Sequence, residues 1–261
     1  MQDLVFSSGV IKSYSSGELW SAYEDYLKQV IRFTQARQVC DIGGGRNPSI
    51  DHTFITEHEL KYTLLDISQE ELDAAPAAYS KIQADIGDVK VDLPEASYDL
   101  CFSKMVAEHI QDGEAFHRNV HRLLKPEGLA IHFFPTLYTL PYVVNLMVPE
   151  WLSTVFLKVF NPRDLVQHGK FPAYYSRCYG PIASQLSFLE SLDYEIVHYH
   201  AGFGHGYYRR LPVVREVAAG WSRWCCRNDW FVHSAFAVLV MRRQGGPDPV
   251  VSIPILPDGN Q

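Results

Sequence analysis

The chain has no excess of basic residues and no paired cysteine spacing, and each gap narrows what it can be. Lys and Arg total 23 against 30 Asp and Glu, a net charge of −7, so no general field draws in a phosphate backbone and nucleic acid is not an expected partner. The five cysteines, Cys40, Cys101, Cys178, Cys225 and Cys226, are odd in number and lack C-x-x-C spacing. That disfavours a disulfide framework or a zinc site and leaves reduced thiols in a cytoplasmic compartment as the expectation. The adjacent Cys225 and Cys226 suggest no role. Residues 1–16 have neither a basic stretch nor a continuous apolar run, so no secretory signal is read. Gly128 to Pro149 carries no Asp, Glu, Lys or Arg, but Pro135, Pro141 and Pro149 divide it, which argues against a straight spanning helix. No internal repeat is visible.

What is present suits an ordinary core. The 261 residues are 47% hydrophobic and 13% aromatic, enough to bury substantial apolar surface in one large domain or two small ones. Ser15-Ser16-Gly17-Glu18 has the form of a capping box, and Leu19, Trp20, Tyr23, Leu27, Val30 and Ile31 follow at helical spacing, predicting a helix over about 18–34. Short apolar runs follow at Gln38–Ile42, Lys61–Ile67, Lys81–Ile86, Tyr98–Ser103 and Gly128–Phe134, with helix or turn signals between them. Such alternation predicts an α/β fold with a parallel sheet covered by helices. Glu114–Leu124 reads as the helix before the fifth strand. Strand signals then lapse and return at Tyr194–His200 and Phe231–Met241, so an insertion separates strands five and six. Within it Trp151, Leu152, Val155, Phe156, Val159 and Phe160 form one apolar helical face.

The chemistry is concentrated at Val39-Cys40-Asp41-Ile42-Gly43-Gly44-Gly45-Arg46-Asn47, a strand running into three glycines. With no Cβ in the way, a ligand can approach the backbone N–H groups closely. A dinucleotide fingerprint would need glycine where Pro48 stands, which weakens a nicotinamide or flavin reading. Asp41, just before the glycines, would repel a pyrophosphate and attract a ligand carrying positive charge.

Here the sequence resembles the class I S-adenosylmethionine-dependent methyltransferases, whose first motif is an acid followed by G-x-G and a further small residue. Asp41, Gly43 and Gly45 match, while Asn47 stands where a last glycine is usual. The resemblance continues in order over about 36–135. Leu64-Leu65-Asp66-Ile67 looks like the second strand, whose terminal acid holds both ribose hydroxyls in the family. Ala84-Asp85-Ile86 looks like the segment beside the adenine. Tyr98 to Ser103 with Val106-Ala107-Glu108-His109-Ile110 looks like the fourth motif, and Leu123 to Gly128 like the turn before strand five. Asp66 follows Asp41 by 25 residues, against a usual interval of about twenty, so 48–59 lengthens the first helix or loop.

The resemblance implies S-adenosyl-L-methionine as cofactor, held by Asp41, Gly43, Gly44, Gly45, Asp66, Ile67, Asp85, Ile86 and Ser103. It implies a Rossmann-like seven-stranded methyltransferase sheet with helices on both faces and a helical lid between strands 5 and 6. The segments expected are an N-terminal helical segment at 1–35, the cofactor-binding core at 36–135, the lid at 136–190, the final strands at 191–243 and a flexible Gly/Pro/Asp-rich tail at 244–261. Methyl transfer of this kind needs alignment rather than a metal or a covalent nucleophile. A hydroxyl acceptor must still lose its proton, and His109, after the fourth strand, is the candidate base, with packing or capping of the next helix as its other reading. Acceptor contacts are expected from Tyr138, Tyr174, Tyr175, Arg177 and His205, with Lys170 as a further candidate, while His200 and His205 are second candidates for the base, a plain glycine-rich loop being their other reading. The expected acceptor is a small molecule, saccharide or lipid-linked compound methylated on oxygen. The apolar face of 151–160 is read as lid packing, a homodimer contact or a peripheral membrane contact. The alternative function is a cofactor-binding but non-catalytic regulatory or scaffold subunit.

Overall fold

The computed structural model describes residues 10–139, 172–206, 208, 212–245 and 253–257. Among them the strands β1 (Val10–Ser15), β2 (Gln38–Ile42), β3 (Lys61–Asp66), β4 (Ser80–Gln83), β5 (Tyr98–Lys104), β6 (Leu124–Pro135), β7 (Tyr194–Phe203) and β8 (Phe236–Arg243) form one sheet in the order β1-β7-β8-β6-β5-β2-β3-β4. All pair in parallel except β8, which runs antiparallel between β6 and β7. The sheet therefore has eight strands where seven are expected. The additional one, β1, lies in the segment read as helical and zips onto β7 from Val10↔His198 to Ser15↔Phe203.

The helices are α1 (Ser16–Thr34), α2 (His52–Glu57), α3 (Gln69–Ala74), α4 (Gly113–Leu123), α5 (Ala183–Glu190) and α6 (Pro212–Arg227). The capping box is present: Ser15 Oγ accepts from the Glu18 N–H at 3.2 Å, and Glu18 Oε2 accepts from the Ser15 N–H at 2.6 Å. The face of α1 made by Leu19, Tyr23, Tyr26, Leu27, Val30 and Ile31 is buried. The Tyr23 hydroxyl donates to the Ser103 carbonyl at 2.9 Å, fixing α1 over the end of β5. Asp51, Ser68 and Asp112 cap α2, α3 and α4 in the same side-chain-to-backbone manner. The lengthened stretch after the glycines contains the short α2.

The tail departs from its compositional reading. Ile253 and Leu256 are buried, Leu256 O accepts from the Tyr14 hydroxyl at 2.6 Å, and Ile253 O lies 2.8 Å from His198 Nε2. Residues 253–257 thus strap the β1–β7 margin of the sheet, because two aliphatic side chains there find a core to enter. The apolar face of 151–160 and Lys170 lie outside the described residues. No helix among the described residues is long and apolar enough to cross a membrane.

Candidate active site

The chain runs from β2 outward to β3 and β4, then returns to place β5 and β6 on the other side of β2. The crevice of such a sheet lies at the carboxyl ends of its strands where this order reverses, here between β2 and β5. The loops that meet there are Gly43–Gly45 after β2 and Met105–Ile110 after β5. β3 and β4 bring Asp66 and Asp85 to the same edge, with Asp66 in register with Gln83.

At the corner itself Gly43 (φ 73°) and Gly45 (φ 44°) are left-handed, and each is also hemmed in. A Cβ on Gly43 would fall 2.3 Å from Val106 Cγ2, and one on Gly44 would fall 2.7 Å from Asp41 Cγ. A side chain at either position would displace a neighbour or open the loop. The Gly43 N–H donates to Leu65 O at 2.7 Å.

Asp41 corrects the expectation attached to it. Only 1% exposed, its Oδ2 accepts from the Ser49 N–H at 2.9 Å and the Tyr62 hydroxyl at 2.7 Å. Burial pushes its carboxyl up to about 6, while the Ser49 and Tyr62 bonds pull the other way. It braces the glycine loop from below and presents no open face to a cation. Ser103 is likewise turned inward, its Oγ 2.8 Å from His132 Nδ1 inside the sheet, and Ile86 is buried while its carbonyl accepts from Asn119 Nδ2 at 2.9 Å. These two support the crevice from behind and do not line it.

Asp66, Ile67 and Asp85 do reach the edge. The half-buried Asp66 carboxylate accepts from the Ser68 N–H at 2.9 Å, and its Oδ2 lies 3.2 Å from where a Gly45 Cβ would stand. Burial, first of all, raises its pKa. Beside it Ile67 is 57% exposed, an uncovered apolar side chain next to a carboxylate. Asp85 is exposed, and its Oδ1 accepts from the Gly87 N–H at 2.8 Å. Arg46 and Glu71 close one side of the corner with two bonds of 2.6 and 2.7 Å. Carboxylate acceptors, an exposed apolar side chain and glycine backbone thus lie together along this edge.

On the β5 side, the 3-10 turn Ala107–His109 carries two titratable groups. His109 Nδ1 lies 2.9 Å from the Pro172 carbonyl. A carbonyl only accepts, so Nδ1 carries the proton and a neutral ring keeps its lone pair on Nε2. Nε2 sits 3.7 Å from Glu108 Oε1. Glu108 was not picked out by the motif reading, although a Glu between Ala107 and the apolar Ile110 is a sign of burial. It is 3% exposed, its Oε2 has no partner among the described residues, and burial pushes its carboxyl up to about 8. A neutral acid therefore underlies His109 at pH 7. The Glu108 carbonyl accepts from the N–H groups of Tyr174 and Tyr175 at 2.7 and 3.1 Å, tying segment 172–178 across this turn.

That segment sorts the expected acceptor residues. Tyr138 and Tyr174 are 38% and 42% exposed beside the loops after β6 and β5. Tyr175, by contrast, is buried, and Arg177 is spent on an ion pair with Glu114 and lies 4.1 Å from the centre of the Phe188 ring. Arg177 fastens the segment to α4 and α5, Tyr175 is packed inward through the turn after β5, and neither is an acceptor contact. The clamp is tight: a Cβ on Gly113 would stand 2.2 Å from the Ser176 carbonyl oxygen. His205 borders a cavity of about 400 Å³ with Ser16, Trp20, Phe203 and Phe236, at the same sheet edge but past β7. From β2 that is four strand spacings, on the order of 19 Å. His200 points into the core, between Tyr14 and Tyr26. Among the described residues no group of three His, Cys, Asp or Glu could hold a metal ion. A larger cavity, about 700 Å³, opens at the amino ends of the strands around Arg37, Asp99 and Lys125, away from this crevice.

Comparison with known proteins agrees with this geometry. Residues 40–132 match the family model of a methyltransferase domain. An uncharacterized methyltransferase from Mycobacterium sp. (strain KMS) is 29% identical over 100 residues, which is 36% of this chain and 37% of that protein. Among solved structures, the S-adenosylmethionine-dependent methyltransferase from Mesorhizobium loti aligns with TM-score 0.53 and 18% identity over 87% of this chain and 99% of that one. Phosphoethanolamine N-methyltransferase 2 from Haemonchus contortus, in complex with S-adenosyl-L-methionine, aligns with TM-score 0.51 and 12% identity over 85% of this chain and 53% of that one. The fold is that of the Rossmann-like methyltransferases.

Proposed function

We propose, from the premise that residues 40–132 carry a methyltransferase domain, that this chain binds S-adenosyl-L-methionine and transfers its methyl group to an oxygen of a small-molecule, saccharide or lipid-linked acceptor. The observation that carries the reading is the juxtaposition of Asp66 with the left-handed Gly45 at the carboxyl edge of two paired strands, 3.2 Å from Asp66 Oδ2 to the site of the missing Cβ. S-adenosyl-L-methionine, when bound, supplies an electrophilic methyl carbon on a sulfonium. The Asp66 carboxylate accepts from the ribose hydroxyls, Ile67 and Asp85 receive the base, and the backbone of Gly43–Gly45 approaches closely because no side chain intervenes. Asp41 holds that backbone in place through Ser49 and Tyr62.

For methyl transfer the protein must align the acceptor and keep water out. Tyr138 and Tyr174 are the exposed aromatic surfaces for the acceptor, and the bonds from Glu108 O to Tyr174 and Tyr175 hold segment 172–178 over the β5 turn. His109 takes the acceptor proton at Nε2, its tautomer set by the Pro172 carbonyl.

S-adenosylhomocysteine is expected to raise the melting temperature, by about 2.7 kcal/mol of stabilisation at a hundredfold excess over its Kd. Melting that does not move with ligand overturns the cofactor assignment. His109→Ala is expected to lower the release of S-adenosylhomocysteine from the methyl donor, with fractionated cell extract as acceptor source, by roughly 10²–10⁴-fold. The ligand-induced melting shift should be retained. An unaltered rate removes His109 as the base.

A further inference from the structure

Helix α6 packs inside out. The residues it turns toward the body of the protein are small: Ala218, Ala219, Ser222, Cys225 and Cys226 are half-buried or buried. The large apolar side chains face outward, with Val213 76%, Val217 70%, Trp221 49% and Trp224 44% exposed. At intervals of four, four and three residues these four form a single stripe. Trp230, 45% exposed, extends it, its ring 4.6 Å from that of Trp224 and 6.2 Å from that of Trp221. Three clustered indoles in water are not the surface of a helix that serves only its own core.

The charge around the stripe selects among the surfaces that could cover it. The chain carries −7 overall, yet residues 209–227 hold five arginines and one acid, Glu216. Arg215 pairs with Glu216 at 2.8 Å, while Arg223 and Arg227 have no ion-pair partner among the described residues. On the helical wheel Arg227 borders the indole stripe, while Arg223 lies further round, beside Glu216 at the margin of the buried side. A second copy docked by this face brings Glu216 as the one acid of 209–227, already paired with Arg215, and so offers Arg223 and Arg227 little counter-charge. An anionic lipid surface meets both demands, since indoles favour the headgroup boundary and arginines pair with phosphate. With 16 residues, arginines among them, α6 is suited to lie in that boundary, not to span it.

We propose that α6 docks this protein onto anionic lipid bilayers, with Val213, Val217, Trp221 and Trp224 entering the interface and Arg223 and Arg227 on the phosphates. This assignment does not rest on the methyl-transfer reading. Co-sedimentation of the full chain with vesicles of phosphatidylcholine and phosphatidylglycerol, against phosphatidylcholine alone, tests it. The chain is expected to pellet with the anionic vesicles, and Trp221→Ser with Trp224→Ser to abolish binding. Arg223→Gln with Arg227→Gln should weaken it by roughly fivefold per arginine, an effect that shrinks as salt is added. Val213→Gln with Val217→Gln, at the most exposed positions, gives a second variant whose fold is not at risk. Equal binding to neutral vesicles, full binding by the indole variant, or no binding at all overturns the proposal. So does a dimer in sedimentation velocity that the indole variant dissolves while lipid binding is absent.

Discussion

Asp66→Ala is expected to leave the protein folded and to eliminate the melting shift given by S-adenosylhomocysteine. Hydrogen bonds to a charged group contribute about 1.5–3 kcal/mol each, so losing two to the ribose diol removes about 4 kcal/mol, on the order of 10³-fold in affinity. At a ligand concentration that stabilises the native protein well, the variant would then be almost unliganded. Asp66 is half-buried and holds the Ser68 N–H, so the apo variant should lose little more than that one bond, about 1 kcal/mol. Calorimetric titration checks the result. Undiminished affinity in Asp66→Ala would place the nucleoside elsewhere, whatever the native protein does with it.

Acid should unfold this protein early. Burial holds His117 and His200 down to about 3 and His132 well below the usual imidazole range. His117 is further opposed by Arg177, His132 by His117, and His200 by His198 and Lys12. A folded-state pKa below the unfolded value of about 6.5 means that the unfolded chain binds protons first as pH falls. Stability is therefore lost progressively from about pH 6.5 toward 3, each such histidine costing about 1.4 kcal/mol per pH unit. Glu108 and Asp41 work in the opposite sense. Raised to about 8 and about 6 by burial, they keep their protons in the fold and contribute stability that is lost as pH rises through those values. The three histidines outnumber them, so the expected net loss is about 1–3 kcal/mol per pH unit near pH 5. His200→Phe should flatten that slope. Both ring nitrogens of His200 are without partners among the described residues, between the rings of Tyr14 and Tyr26 at 5.4 and 5.6 Å, and phenylalanine removes two unsatisfied polar atoms. Its melting temperature at pH 5 should rise by roughly 3–10 °C. Thermal melts from pH 7 to 4.5 decide the matter, and a flat profile contradicts it.

The parts of the fold that could be read from the sequence are those whose signals are local. The capping box at Ser15 and Glu18, the run from β2 into Gly43–Gly45 and the acid at the end of β3 each occupy a few consecutive residues and stand where the pattern put them, whereas Lys125–Gly128, read as a turn, lies inside β6. What escaped depends on partners far along the chain. Asp41 reads as a cation site until Tyr62 and Ser49 are seen to occupy its carboxylate. Ser103 and His132 meet only when β5 and β6 pair. The segment Val10–Ser15 shows no strand signal without β7 beside it, and the tail reads as loose because its few prolines and glycines outweigh Ile253 and Leu256, which are buried. No helix is read at 212–227, although Val213, Val217, Trp221 and Trp224 stand at helical spacing; what the sequence does not show is that this stripe faces outward.

The pairing of β1 with β7 also sets the order in which this chain can be built. Strands β2 to β6 and their helices are contiguous and can assemble as synthesis proceeds, with Tyr23 of α1 seated on β5 and β6, whereas the edge of β1 and the start of α1 around Leu19 wait for residues that emerge far later. At ordinary translation speeds that interval is roughly ten seconds or more, during which Leu19 lacks the Gly202 region of β7 that covers it. The earliest segment made is thus among the last to find its place, and a nascent chain stalled before residue 203 would be the form most exposed to proteases and most in need of a chaperone.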